Sequence, residues 1–128
     1  MLRPISGKQL KLHFRESAVF SLCYVFHLGE PLHIPFVVLL VNGGDGSLQT
    51  CAEKLDDKVP LLAIAGSGRA AEVVISIKKF VGKRQGEIPT HDQFLRLYVD
   101  AMGYAPSGSE VYDWMKTIAE FSKYVSMA

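Results

Sequence analysis

Two continuous apolar runs, each closed by a glycine loop and each followed by a helical stretch, leave this chain few folds to choose from. The first run, Phe36-Val37-Val38-Leu39-Leu40-Val41, has no polar alternation. A strand reads this way when both its faces are covered, as in a parallel sheet rather than a one-sided antiparallel one. The run stops at Asn42-Gly43-Gly44-Asp45-Gly46, where Ser47 is placed to cap a helix over 48–55 by accepting a backbone N–H bond. Asp56-Asp57-Lys58 turns the chain, and Val59-Pro60-Leu61-Leu62-Ala63-Ile64-Ala65 repeats the buried-strand pattern. Gly66-Ser67-Gly68 ends the second run, and a second helix is expected from Arg69 to about Phe80. Strand, glycine loop and helix, stated twice, specify a doubly wound α/β sheet with right-handed crossovers.

The flanks are less informative. The first sixteen residues mix basic and apolar types without a period, and no element is expected there. Residues 18–28 form an aromatic, β-branched run that fits a buried strand or a short helix, and periodicity alone does not separate the two. Beyond the core, 82–89 reads as a polar linker and Asp92–Met102 as a helix with Phe94, Leu95, Leu97, Tyr98 and Met102 on its apolar side. A turn at 103–108 leads to Ser109, placed to cap a last helix whose stripe is Val111, Trp114, Met115, Ile118, Phe121, Ser122 and Val125. Trp114 on that stripe reads as core packing. The expected division is a poorly defined segment over 1–33, two strand–loop–helix units over 34–81, and a linker with C-terminal helices of the same domain over 82–128.

A chain of 128 residues accommodates one domain with one core. Its 48% hydrophobic and 21% charged residues are those of a globular protein. A net charge of +1 makes no case for a nucleic-acid partner or a membrane surface. The local cluster Lys78, Lys79, Lys83 and Arg84 reads as a solvated helix end, where the dipole favours cations. No apolar run reaches the roughly 20 residues of a membrane span, and no signal-peptide pattern opens the chain, so a soluble chain without direct membrane insertion is expected. Cys23 and Cys51 form no disulfide framework, which suits a reducing cytoplasm. Cys23, in an apolar run, is expected to be buried and inert; Cys51 lies near the first glycine loop with no activating neighbour in sequence. His13, His27, His33 and His91 show no metal-ligand spacing, and no metal is expected.

The chemistry is expected at the two loops. In an open α/β sheet, ligands sit at the carboxyl ends of the strands. Gly43, Gly44, Gly46, Gly66 and Gly68 have no side chain to hold a phosphate away. The first N–H groups of each following helix have no intrahelical partner and favour an anion. Arg69 adds a permanent, forked cation, and Asn42, Ser47 and Ser67 add hydrogen-bonding groups. Neither loop is a Walker A sequence, and neither fits G-x-G-x-x-G, because Gln49 holds the third glycine position.

The segments Ile34–Thr50 and Val59–Val74, above all Gly66-Ser67-Gly68-Arg69-Ala70-Ala71-Glu72 with its strand, resemble the core of the SLOG domain of melastatin-type TRP (TRPM) channels. That family carries E-G-G-P-G-T after one strand and a G-S-G-R-A-A-D-like turn after V-P-V-V. The resemblance implies a Rossmann-like three-layer domain with a mostly parallel sheet and C-terminal helices. It also implies a nucleotide ligand such as ADP-ribose, no required cofactor, and a place on the cytoplasmic side of a tetrameric, calcium-permeable plasma-membrane channel. Partners would be the nucleotide, other channel domains and other subunits. Carried across by position, Gly43, Gly44, Gly46 and Ser47 would line the phosphate loop and Arg69 would contact the phosphate.

The departures are Asn42 for glutamate, Asp45 for proline and Ser47 for threonine. Asp45 adds a negative charge beside the proposed anion site. An earlier strand and glycine loop of the family has no counterpart before residue 34, where Gly7 and Gly29 stand alone, so a partial copy is expected. The related LOG-type phosphoribohydrolases carry P-G-G-x-G-T-x-x-E; here Thr50 holds the place of the glutamate, and Glu53 is almost a full turn further on. A hydrolase is therefore not expected. Two roles follow from the resemblance: a nucleotide- or phosphate-sensing module, or a module that packs against neighbouring channel domains without a ligand.

Overall fold

A computed structural model describes residues 11–14, 19–23 and 36–128, with side chains from Val37 onward. The order of elements is β1 (Lys11–Phe14), β2 (Val19–Cys23), β3 (Phe36–Leu40), α1 (Asp45–Asp56), β4 (Leu61–Ala63), α2 (Arg69–Lys83), α3 (His91–Met102), α4 (Glu110–Glu120), a 3₁₀ turn (Ser122–Tyr124) and β5 (Val125–Met127). The strands lie side by side in chain order. β3, β4 and β5 run parallel, with Val38 opposite Leu61 and Leu61 opposite Val125. β1 and β2 continue the sheet antiparallel, with Phe20 opposite Leu39. The chain is an α/β domain whose three parallel strands and four helices fit a Rossmann-like fold.

The central units form where the apolar runs and glycines place them. Val38 N–H donates to the Pro60 carbonyl (3.0 Å) and Ile64 N–H to that of Leu40 (3.0 Å), which knits the two apolar runs together. The run over 18–28 resolves to a strand over Val19–Cys23, and its remainder lies outside the described residues. β1 occupies Lys11–Phe14, where no element was expected: four residues paired to a neighbour need no period of their own.

Helix ends differ in instructive ways. α1 starts at Asp45, with Gly44 as an extended N-cap and no side-chain capping bond. Ser47 is therefore not the cap: the Gly44 carbonyl accepts from the N–H groups of Ser47 (3.0 Å) and Leu48 (3.1 Å), which draws Ser47 into the first turn and buries it. α2 starts at Arg69 as expected and runs to Lys83, past Phe80. α3 opens on a capping box that the sequence reading overlooked: Thr90 Oγ1 accepts from Gln93 N–H (3.3 Å), and Thr90 N–H donates to Gln93 Oε1 (2.8 Å). Ser109 stands at the N-cap of α4 but is itself helical, and its side chain makes no capping bond. The last stripe does not stay helical. α4 ends at Glu120, and Val125, spaced as if for another helical turn, instead pairs beside β4 and is buried there.

The core lies between the sheet and the helices. α1 packs on α4, and α2 lies against α3 and α4. Val38, Leu40, Leu61, Ala63 and Val125 turn one sheet face into it, against Leu48, Leu55, Ile77, Tyr98, Met115 and Ile118. Trp114 packs at its margin, half-buried. Val37, Leu39 and Leu62 alternate with the core residues and are half-buried, so among the described residues the second sheet face is covered there only in part. The unbroken apolar run had suggested full cover on both.

Candidate functional site

Because β3 and β4 are parallel neighbours, their carboxyl ends open on one edge, and the loops that follow them meet there. Asn42 is the joint. Its backbone N–H donates to Ser67 Oγ (2.9 Å) and its Nδ2 to the Ser67 carbonyl (2.9 Å), while its Oδ1 accepts from Gly43 N–H (2.7 Å). The Ser67 hydroxyl in turn donates to the Ile64 carbonyl (2.7 Å). Asn42 sits at φ +59°, a left-handed conformation that asparagine tolerates better than most side chains. Gly43, Gly66 and Gly68 also have positive φ, at 97°, 83° and 93°.

These bonds use up part of what an anion would need. At the start of α2, Ala70 N–H donates to the Gly43 carbonyl (3.2 Å) and Ala71 N–H to that of Asn42 (3.0 Å). Gly66 N–H donates to a carboxylate oxygen of Glu72 (2.7 Å). The second loop is thus closed on the first, and its donors serve the fold. At the start of α1 the backbone bonds belong to Ser47 and Leu48, and Gly44, Asp45 and Gly46 form the loop's open lip.

Arg69 stands over that lip. A Cβ on Gly44 would lie 3.5 Å from Arg69 Nη2 and 3.9 Å from Nη1. The guanidinium is exposed, and its Nη2 donates to the Tyr104 hydroxyl (2.8 Å). Arg69 holds φ +50°, a strained conformation for a side chain other than glycine. Asp45, which sequence placed as an unwelcome charge, accepts a hydrogen bond from Tyr98. Tyr98 is fully buried; burial, then the hydrogen bond and negative charge of Asp45, push its pKa up, so it stays a neutral donor. The rings of Tyr98 and Tyr104 meet edge to face at 6.0 Å and 78°.

Of the nine residues expected at the site, Asn42, Gly43, Gly44, Gly66, Ser67, Gly68 and Arg69 come together directly; a Cβ on Gly68 would lie 3.6 Å from Asn42 Nδ2. Gly46 is exposed in the first turn of α1, and Ser47 is shut inside it. Tyr98, Tyr104 and Glu72 were missed. Glu72 carried a signal, since an acid in the first turn after a glycine loop can reach back to that loop's N–H groups. The two tyrosines carried none, lying 53 and 35 residues from their partners.

The remaining candidates are quiet. Cys51 is fully buried, and burial pushes its thiol up to about 12. Thr50, in the place of the hydrolase glutamate, is buried and donates to the Gly46 carbonyl (3.0 Å). Glu53 is exposed and accepts from Gln49 Nε2 (3.3 Å), about 12 Å along α1 from Asp45 at 1.5 Å per residue. His91 stacks on Tyr112 at 3.8 Å, and no metal-binding group occurs among the described residues. The side chains of Cys23, His13, His27 and His33 lie outside the described ones, as do Gly7 and Gly29. A cavity of about 530 Å³ opens at the far end of α2, lined by Ser76, Lys79, Phe80, Lys83, Arg84 and Leu97, with Arg84 over the Phe80 ring at 4.3 Å. No helix among the described residues is long and apolar enough to cross a membrane.

A parallel α/β edge with two interlocked glycine loops and an arginine over their lip defines a domain of the Rossmann-like, glycine-loop class. The family described as SLOG in TRPM matches residues 7–115, and the chain belongs to that family. It is 31% identical over 101 residues to the transient receptor potential cation channel subfamily M member-like 2 of Nematostella vectensis, a match over 73% of this chain. It is 25% identical over 92 residues to subfamily M member 2 of Mus musculus, over 72% of this chain, and the Rattus norvegicus protein gives the same figures. The matched part spans 6% of the length of each of these channels.

Proposed function

We propose that this chain is a non-catalytic nucleotide- or phosphate-sensing module of a TRPM-like, calcium-permeable cation channel, acting on the cytoplasmic side of the plasma membrane. The observation that carries the reading is Arg69, held over Gly44 at the carboxyl edge of the parallel strands, with its guanidinium exposed. An exposed, oriented guanidinium next to a side-chain-free lip offers forked donors at short range to a phosphate. The ligand would be an ADP-ribose-like nucleotide, no cofactor is required, and other channel domains and subunits are the partners. In Arg69→Ala a charge-assisted contact worth about 1.5–3 kcal/mol is lost, which weakens ADP-ribose binding roughly ten- to a hundredfold. Calorimetric titration of the two proteins checks this; equal affinities would remove Arg69 from the site.

Two features argue against catalysis. Thr50 cannot act as a carboxylic acid or base, and its hydroxyl is committed to the Gly46 carbonyl. Glu53 is too far along α1 to replace it. No free base should be released from a nucleoside monophosphate, and release abolished by Glu53→Gln would refute the non-catalytic reading.

A second reading has its own support. The N–H groups of Gly66, Ala70 and Ala71 already serve protein acceptors, and Val37, Leu39 and Leu62 leave a half-buried apolar face on the sheet. A module that packs against neighbouring channel domains or subunits without a ligand needs no more than this. It predicts a folded protein indifferent to nucleotides.

A further inference from the structure

We infer that Tyr104 is the positioning residue for Arg69, so that the turn after α3 sets how firmly the glycine-loop edge can hold a phosphate group. The ligand part of this inference rests on the sensing role proposed above; the positioning part stands on geometry alone.

An exposed arginine at a helix start samples many rotamers. Here a hydrogen bond from Nη2 to the Tyr104 hydroxyl, at 2.8 Å, ties the guanidinium in one place, over Gly44. Tyr104 is itself held. Gly103 ends α3 in a left-handed turn at φ +89°, which places Tyr104 immediately beyond the helix. Its ring meets the edge of the buried Tyr98, whose hydroxyl donates to Asp45. The contacts form a closed circuit: Asp45 in the first turn of α1, Tyr98 on α3, Tyr104 after it, Arg69 in the first turn of α2, and Gly44 beside Asp45 again. A guanidinium has five donors, so the bond to Tyr104 leaves donors for a phosphate, and the tyrosine and a ligand do not compete. Tyr104 remains 45% exposed, open to the same solvent edge as the guanidinium.

Tyr104→Phe keeps the ring and removes only the hydroxyl, and the full 128-residue chain is the sample. Side-chain NMR of the arginine Nε–H group should show Arg69 ordered in the parent protein and freely averaging in the variant, with an unchanged thermal midpoint. Affinity for ADP-ribose should fall about three- to tenfold, because the untethered guanidinium must then be immobilised by the ligand itself. In an Arg69→Ala background the same change should have no further effect, because Tyr104 acts through the arginine. Identical Arg69 dynamics in parent and variant would overturn the inference, as would an equal loss of affinity with and without Arg69. If the parent protein binds no ADP-ribose, the sensing role fails, and the NMR comparison alone decides whether Tyr104 positions Arg69.

Discussion

Arg69 answers two opposed demands. At φ +50° it occupies a conformation that costs a side chain other than glycine about 1–2 kcal/mol, yet its guanidinium stands over the Gly44 lip. Arg69→Gly should therefore raise the free energy of unfolding by about 1 kcal/mol, seen as a higher thermal midpoint, while ADP-ribose binding falls with the lost cation. A destabilised variant would mean that the backbone strain is not real. Cys51 has a consequence in alkaline solution. Its pKa rises on folding from 9.0 to about 12, so above pH 9 the unfolded chain loses this proton first and stability falls, by about 1.4 kcal/mol per pH unit until pH 12. Cys51→Ala should flatten that part of the profile, measured by denaturant unfolding from pH 8 to 10.5. At this scale the sequence was legible where chemistry is local: Arg69 and the glycines announce themselves by their neighbours. Tyr98 and Tyr104 do not, because an α3 stripe residue and a turn tyrosine look the same whether or not a distant loop meets their hydroxyls.

Among the elements, local signals are sufficient for some and useless for others. β3, α1, β4 and α2 follow from two apolar runs and their glycines, with boundaries displaced by a few residues. Ser47 failed as a cap because Gly44 permits the helix to begin earlier, which puts Asp45 in the first turn, where a carboxylate suits the helix dipole. β5 was read as helix since the four-residue step from Phe121 to Val125 fits a helical stripe. The open edge of β4 decided otherwise, and a three-residue strand cannot outweigh that stripe in sequence alone. α3 depends on its capping box: Thr90→Ala should cost about 1 kcal/mol in unfolding free energy, with Thr90→Ser nearly neutral. Loss of more than twice that would point to a role for Thr90 beyond the cap. The joint between the loops depends on Asn42. Asn42→Ala removes two side-chain hydrogen bonds, each worth about 0.5–1.5 kcal/mol, and should lower stability while loosening the proposed nucleotide site.

For the whole molecule, the parallel half of the sheet and its helices make one core, while the second face of β3 and β4 remains half-buried. The chain matches 6% of the length of its channel relatives, and either proposed role is compatible with a sheet face on which Val37, Leu39 and Leu62 are half-buried. The sensing and packing roles agree on that architecture and part over ligands. Thermal unfolding of the purified chain with increasing ADP-ribose, beside AMP and inorganic phosphate, separates them most directly. A ligand that binds only the folded state adds about 2.7 kcal/mol at a hundred times its dissociation constant, so the sensing account predicts a midpoint that climbs with ADP-ribose. It predicts that the climb shrinks to about half or less for Arg69→Ala in the same concentration range. A cooperative transition that none of the three ligands moves would contradict it.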